Sequence, residues 1–294
     1  MPTGKVVLIT GSSTGFGRGT AEALGRKGYT VFASMRDCSG KNAGHKQALE
    51  HMARQEDLPL FVQEIDVTSD ESVERAVDRI IGKCGRIDVV INNAGIAALG
   101  VTEGYTVSQW KQLFEVNLFG VVRVNRAVLP SMRQQREGLL IHVSSAAGRV
   151  TVPYFGVYGA SKFALEALAD AYRFELKPFG IDSVIVEPGI HRTPILDHLP
   201  SPDDKERTAR YGDENNYFDR VKNVFDAANT SPDTPGVERV VHEFARLIEM
   251  PWGERPFRSV PTVAMQPLLA GLNATSEELR KAVAHGFNTP ELIS

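Results

Sequence analysis

The feature that most constrains this chain is a repeated change of hydrophobic period. Six short runs are apolar with no polar alternation: KVVLIT (5–10), TVFASM (30–35), LFVQEIDV (60–67), IDVVINNAG (87–95), GLLIHVSS (138–145) and DSVIVEPG (182–189). Such runs, rich in β-branched residues and ended by turn-forming residues, read as strands buried on both faces. Between them the spacing becomes that of amphipathic helices, over 17–26, a polar stretch to about 55, 69–85, 106–134 and 156–177. Ser69 is placed to cap the third of these. In the long stretch 106–134, Val107, Trp110, Leu113, Phe114, Leu118 and Val121 share one side. A strand with no wet face needs helices above and below it. The order therefore specifies an α/β, doubly wound fold: a parallel sheet with helices on both faces.

The alternation ends at Pro188. Residues 191–235 are polar and rich in Asp, Asn and Pro, and read as an inserted loop or small helical flap shaping a pocket. A helix over about 237–249, an edge strand within 255–262 and a terminal helix over 276–284 complete the expectation. At 294 residues the chain has the length of one large domain, with a core of about 4–250 and an extension of 251–294. A net charge of −3 argues against nucleic acid or a membrane surface as partner. No apolar run approaches the ~18 residues of a membrane span, and the start, MPTGKVVLITG, lacks the pattern of a secretory leader. Cys38 and Cys84 stand in no metal-like or disulfide spacing, so the reading expects no metal and a cytoplasmic home.

The first strand runs into TGSSTGFG (10–17), with Gly11, Gly15 and Gly17. A strand, a glycine turn and a helix together make a dinucleotide site: glycine lets the backbone approach a pyrophosphate, and the helix start offers free N–H groups and a positive dipole end. The spacing is G-x-x-x-G-x-G rather than the commoner G-x-G-x-x-G. Further on, Tyr158 stands four residues before Lys162, one helical turn apart. Taken alone, that pair would be a packed tyrosine beside a solvated lysine. In this chain TGxxxGxG, NNAG (92–95), Asn117, Ser145, the Tyr158-x-x-x-Lys162 pair and Pro188-Gly189 occur in order. Together, over about residues 4 to 250, they resemble the short-chain dehydrogenase/reductase family.

The resemblance implies a Rossmann-type sheet of about seven strands and a set of roles. Tyr158 would be the general acid of carbonyl reduction. A phenol of ordinary pKa about 10 is a poor donor near neutrality, so an ammonium within ~4–6 Å, from Lys162, is expected to lower it. Lys162 would also hold the nicotinamide ribose. Ser145 would bond the substrate oxygen, with Ser144 as the alternative, since neighbours on a strand face opposite ways. Asn117 would hold a water in a proton relay. Tyr154 is expected to be a wall of the pocket.

The resemblance also places the cofactor. Gly11, Ser13, Thr14, Gly15, Phe16 and Gly17, with Arg18 less directly, would surround its phosphates. Asp66 and Val67 would face the adenine. Asn93, Ala94 and Gly95 would approach the ribose, while Asn92 braces neighbouring strands. Pro188, Gly189, Ile190 and Thr193 would border the nicotinamide. His191 departs from the apolar residue similar proteins tend to carry, and reads as a loop histidine, not a catalyst.

Cofactor choice turns on the end of FASMRD. An acidic residue there suits NAD; here Met35 holds the position and Arg36 follows, which suits the 2′-phosphate of NADP. Asp37 would bring NAD back if the strand ended one residue later. The expected activity is NADP(H)-dependent hydride transfer between the nicotinamide and a carbonyl or alcohol. Alternatives are an NAD-linked alcohol dehydrogenase and a non-catalytic NADP(H) sensor. Phe155, Ile195, Leu196, Leu199, Tyr211, Tyr217, Phe218 and Phe225 are candidate apolar lining, pointing to a lipophilic ketone or aldehyde. Family members usually pair through the long helices, here 106–134 and 156–177, so a homodimer or homotetramer is expected.

Overall fold

A computed structural model describes residues 4–197, 199–212 and 216–293. The flap expected at 191–235 therefore lies in part outside the described residues. Seven strands form one parallel sheet: β1 (Val6–Ile9), β2 (Thr30–Met35), β3 (Leu60–Glu64), β4 (Val89–Asn92), β5 (Gly138–Val143), β6 (Ile181–Val186) and β7 (Arg258–Ser259). Their order is β3-β2-β1-β4-β5-β6-β7, with β1 registered to β2 through Val7↔Val31 and to β4 through Val7↔Val89. The helices are α1 (Gly15–Arg26), α2 (Ala43–Gln55), α3 (Asp70–Cys84), α4 (Val107–Phe114), α5 (Gly120–Gln135), α6 (Gly156–Glu175), α7 (Lys205–Ala209), α8 (Asn216–Thr230), α9 (Glu238–Glu249) and α10 (Gln266–Gly286).

Period-2 alternation divides the core. Val7 and Ile9 of β1 pack with Leu24 of α1, Leu49 of α2 and Phe244 of α9 on one face. Val6 and Leu8 pack with Val77 and Ile80 of α3 and Val124, Val128 and Met132 of α5 on the other. Burying aliphatic side chains on both faces supplies the main driving force, at roughly 25 cal/mol per Å² of apolar surface. Ser69 caps α3 as expected, its hydroxyl accepting from the Ser72 N–H.

Three expectations are corrected. The strand at 60–67 is shorter and lies at the sheet edge, where Phe61 is exposed and stacks on Phe32. The stretch 106–134 is not one regular helix: a π-helical turn at Glu115–Phe119 separates α4 from α5. Among the described residues the flap carries the helices α7 and α8, in keeping with the small helical flap expected. The terminal helix begins ten residues earlier than expected, at Gln266, because Gly271 and Asn273 weaken its apparent helix propensity. The edge strand expected within 255–262 is present as the two residues of β7, parallel to β6.

β6 carries a buried charge that ties the sheet to its last strand. Asp182 is 1% exposed; its Oδ1 accepts from Arg173 Nη1 of α6 at 2.8 Å and its Oδ2 from Arg255 Nη1 at 2.5 Å. Both guanidiniums spend their other donors on backbone carbonyls. Removing the carboxylate charge strands two buried cations. Asp182→Asn is therefore expected to lower unfolding stability by about 3–5 kcal/mol, measured by urea denaturation; a loss under about 1 kcal/mol would count against this role for the cluster.

Candidate active site

In an open parallel sheet a crevice forms where the strand order reverses, here between β1 and β4. The loops leaving those two strands are knotted together. Thr10 Oγ1 accepts from the N–H groups of Asn93 and Ala94, both at 3.0 Å. Asn93 Nδ2 donates back to the carbonyls of Thr10 (2.8 Å) and Gly11 (3.0 Å). Glycine is required in this knot. Gly11 has φ +69°, and a Cβ on it would lie 2.7 Å from Ala94 Cα. A Cβ on Gly17 would lie 2.5 Å from both Asn93 Nδ2 and the Gly11 oxygen. Gly17 thus packs the helix against the turn and is not on the cavity wall, contrary to the binding role expected of it.

A cavity of about 770 Å³ fills the crevice. Ser13, Thr14, Gly15 and Phe16 line it where α1 begins, and no side chain caps that helix start. Its first N–H groups and positive dipole end are left for an anion. These features fit a dinucleotide pyrophosphate. Arg18 instead pairs with Glu22 at 2.9 Å and is not part of the wall.

β2 ends at Met35, and Met35 and Arg36 both line the cavity. Asp37 does not: it sits in the left-handed region at φ +50°, and its carboxylate accepts from the Lys41 N–H at 2.7 Å. Lys41, Asn42 and His45, which the sequence reading passed over, join Arg36 on this wall. Asn42 holds the Arg36 backbone, donating to its carbonyl at 2.7 Å. Asp66 and Val67 line the cavity as expected. The Asp66 carboxylate accepts from the backbone and hydroxyl of Thr68, at 3.0 and 2.7 Å.

Ser145, Tyr158 and Lys162 meet on the opposite wall. Ser145 follows the end of β5, and its hydroxyl faces the Tyr158 phenol; Ser144 faces Glu166 instead. Lys162 Nζ donates to the Val143 carbonyl at 2.8 Å and lies 5.7 Å from the Tyr158 ring centre. Burial pushes the phenol up to about 12, offset in part by Ser145. Burial also brings Lys162 down to about 8, against the pull of the Glu166 carboxylate. The expectation that Lys162 draws the phenol below its ordinary value is therefore not met. Desolvation of an enclosed phenol outweighs an ammonium whose own charge the same enclosure disfavours.

Asn117 is fully buried in the π-helical turn. Its Oδ1 accepts from Ile96 N (2.9 Å), and its Nδ2 donates to Ile96 O (2.9 Å) and Ser161 Oγ (3.0 Å). It thereby ties the Gly95–Ile96 backbone to α6. The extra residue of the turn aims it there. Gly95 keeps a gap beside it: a Cβ would lie 3.4 Å from Asn117 Oδ1 and 3.7 Å from Lys162 Nζ. Asn92 braces more widely than expected, donating to Asn125 of α5 at 2.9 Å and approaching His142 of β5.

Pro188, Gly189, Ile190, His191 and Thr193 close the third side, with Thr193 facing Gly15. His191 is buried. Its Nδ1 lies 2.7 Å from the Gly236 carbonyl and must donate to it; its Nε2 accepts from the Thr262 hydroxyl at 2.7 Å, which in turn accepts from Gly189 N at 2.8 Å. The histidine thus fastens the loop to the chain on either side of α9. Of the expected lining, Phe155, Ile195, Leu196 and Phe225 are on the wall; Val152, Val221, Val224 and Met265 join them. Leu199, Phe218 and Tyr154 pack behind it, Tyr154 edge-on to Phe218. Tyr211 bonds Glu103 and Tyr217 is exposed beside Arg220.

Of the two closest contacts at Gly17, one is the Gly11 backbone oxygen and the other the Asn93 amide, which two hydrogen bonds to backbone carbonyls hold in place. Gly17→Ala is expected to cost about 1–3 kcal/mol of stability by overpacking, read by chemical denaturation. A midpoint equal to wild type would show that the turn can relax.

The family model for short chain dehydrogenases matches residues 5–204. A 3-ketodihydrosphingosine reductase from Bacteroides thetaiotaomicron is 39% identical over 194 residues, covering 66% of each chain. Retinol dehydrogenase 8 from Bos taurus is 39% identical over 188 residues, covering 63% of this chain and 58% of that one. The chain thus matches no more than about two thirds of these relatives' length. A solved short-chain dehydrogenase from Streptomyces avermitilis is 28% identical, with a TM-score of 0.76, and covers 97% of this chain and 99% of that one. Other solved structures sharing the fold hold NAD in one case and NADP in another. The chain belongs to the short-chain dehydrogenase/reductase family of oxidoreductases.

Proposed function

We propose that the chain is an NADP(H)-dependent carbonyl reductase, reversible to an alcohol dehydrogenase, acting on a lipophilic ketone or aldehyde. One observation carries the reading: Ser145, Tyr158 and Lys162 form one wall of a cavity that also opens on the uncapped start of α1. A bound nicotinamide would supply the hydride. Tyr158 would then protonate the developing alkoxide, and its high pKa keeps it in the donor form at neutral pH. Ser145 would hold the same oxygen from the other side. Lys162, anchored on Val143, would hold the ribose hydroxyls. The gap at Gly95, between Asn117 Oδ1 and Lys162 Nζ, suits a bridging water that returns the proton.

Arg36 and Lys41 on the wall, with Asp37 turned away, favour the 2′-phosphate of NADP. Phe155, Leu196, Phe225 and Met265 make the remaining wall apolar. The names of the two curated relatives, a ketodihydrosphingosine reductase and a retinol dehydrogenase, fit a lipophilic carbonyl or alcohol. Two free thiols, Cys38 and Cys84, fit a reducing compartment such as the cytoplasm.

Fluorescence titration with NADPH and NADH, followed by turnover on a ketone panel, tests this. NADPH is expected to bind tighter, and Arg36→Ala to weaken it by about ten- to a hundredfold while sparing NADH. Tighter NADH binding in wild type would overturn the cofactor assignment. The pH dependence follows from Lys162. Its proton is lost as pH rises through about 8, while Tyr158 stays protonated to about 12. The reductive kcat/KM, which reports the free enzyme, should therefore be level near neutrality and fall by about tenfold per unit well above that point. A profile level to pH 10 would remove the Lys162 charge from the mechanism.

A further inference from the structure

A second cavity, of about 370 Å³, lies away from the dinucleotide crevice and shares no lining residue with it. The end of α6 with the turn after it, the segment leading into β7, and α10 enclose it. The cations on its wall are Arg173, Lys177, Arg255, Arg258, Arg280 and Lys281, against one acid, Glu277. Three of the guanidiniums gather on the buried Phe257 ring: those of Arg173, Arg258 and Arg280 lie 6.0, 4.4 and 5.4 Å from its centre. A ring face attracts a cation, but it does not neutralise three of them brought together.

The carboxylates in reach leave positive charge over. Arg173 and Arg255 share the single carboxylate of Asp182. Arg258 faces Glu166 and Glu187, the second of them shared with Arg149, and Asp170 lies 3.9 Å from both Arg258 and Arg280. Glu277 accepts from Arg280 Nε and Nη2 at 3.1 and 2.6 Å. Among the described residues Lys177 and Lys281 form no ion pair; the Lys177 ammonium lies 5.0 Å from the Trp252 ring centre. Burial, with Arg173 and Arg280 nearby, holds that ammonium below its ordinary pKa, against the pull of Asp182. Arg280 Nη1 is buried with no acceptor among the described residues, a costly state for a charged donor. Unspent donors on Lys177, Arg280 and Lys281 thus border one cavity, whose volume is that of a small-ligand site. Ammonium and guanidinium donors set in this way recognise an oxyanion. A phosphate monoester is close to a dianion at neutral pH and offers three acceptor oxygens, which matches both the surplus charge and the three donors. Phe257, Leu292 and Ile293 add an apolar side. We propose that this cavity binds a small phosphate monoester, its phosphate held by Lys177, Arg280 and Lys281 and its organic body set against Phe257 and Leu292. The site does not depend on the activity proposed above.

Calorimetric titration with phenyl phosphate tests this, at constant ionic strength and with NADPH present so that the crevice at α1 is not what is titrated. One saturable site per chain is expected. Inorganic phosphate should compete for it more weakly, since it lacks an apolar body, and benzoate more weakly, since it carries one charge. Replacing Lys177→Gln and Lys281→Gln together should weaken binding at least tenfold. Neither lysine is fully buried, and circular dichroism should report an unchanged fold. Arg280→Lys keeps the charge but loses the unmet Nη1 donor, and should weaken binding by about tenfold. No saturable binding to the wild type would overturn the proposal. An affinity untouched by the paired lysine variant would overturn it too, and would assign the anion to the dinucleotide crevice. Inorganic phosphate or benzoate binding as tightly as phenyl phosphate would overturn the choice of a phosphate monoester.

Discussion

One side-chain amide holds the two halves of the sheet together where the site opens. Asn93 Nδ2 donates to both Thr10 O and Gly11 O, while Thr10 Oγ1 receives the N–H groups of Asn93 and Ala94. These bonds join the loops that leave β1 and β4 in opposite directions. Without them the crevice would have no fixed width, and the start of α1 would not face the wall that carries Tyr158. Buried backbone groups must find partners. The knot supplies them where the strand ladder has ended, and Gly11 and Gly17 are glycines because the knot leaves no room for a Cβ.

A second constraint is the cost of enclosing charge. The same burial that keeps the Tyr158 phenol protonated makes the Lys162 ammonium easier to lose. Beneath Lys162 the chain places Glu166 one turn further along α6, and Glu187 just before Pro188, with Arg258 Nε 3.0 Å from the first and 3.4 Å from the second. Burial raises both carboxyls, Glu187 to about 7. Asn273 of α10 donates to Glu187 at 2.7 Å, so the C-terminal helix helps to fasten the floor of the site. The wall that carries Tyr158 and Lys162 thus rests on a buried polar layer, and enclosure is the first cause of the shifts of both groups.

Much of this was legible in the sequence. Five of the six apolar runs are strands because unbroken aliphatic runs leave no face for water; the third, LFVQEIDV, is a half-exposed edge strand, and the alternation of all six with helices specifies the parallel sheet. The glycine turn, Ser145, Tyr158 and Lys162 lie on one cavity because each follows a strand end or heads a helix at the same edge of that sheet. What sequence patterns missed depends on tertiary contacts. Asn117 sits in a π-helical turn that periodicity cannot distinguish from a helix. Gly17 serves packing, which a motif does not separate from binding, while Asn93 both braces the two loops and lines the cavity. Leu199, Phe218 and Tyr154 are as apolar as Phe155 and Phe225, yet only the packing of α8 decides which face the cavity. Lys41 and His45 look like an ordinary solvated helix start until Asp37 turns away and brings them to the wall.

The central claim is that Tyr158 completes a hydride transfer to a carbonyl carbon by giving up its proton. The most direct measurement follows deuterium from 4-deuterated NADPH into the alcohol product by mass spectrometry, in wild type and in Tyr158→Phe, with NADPH affinity measured alongside. The account predicts label at the former carbonyl carbon in wild type. It also predicts a drop of at least about a hundredfold in the variant, with NADPH affinity little changed. Equal transfer by both proteins, or none to any lipophilic ketone from a wild type that binds NADPH, would contradict it.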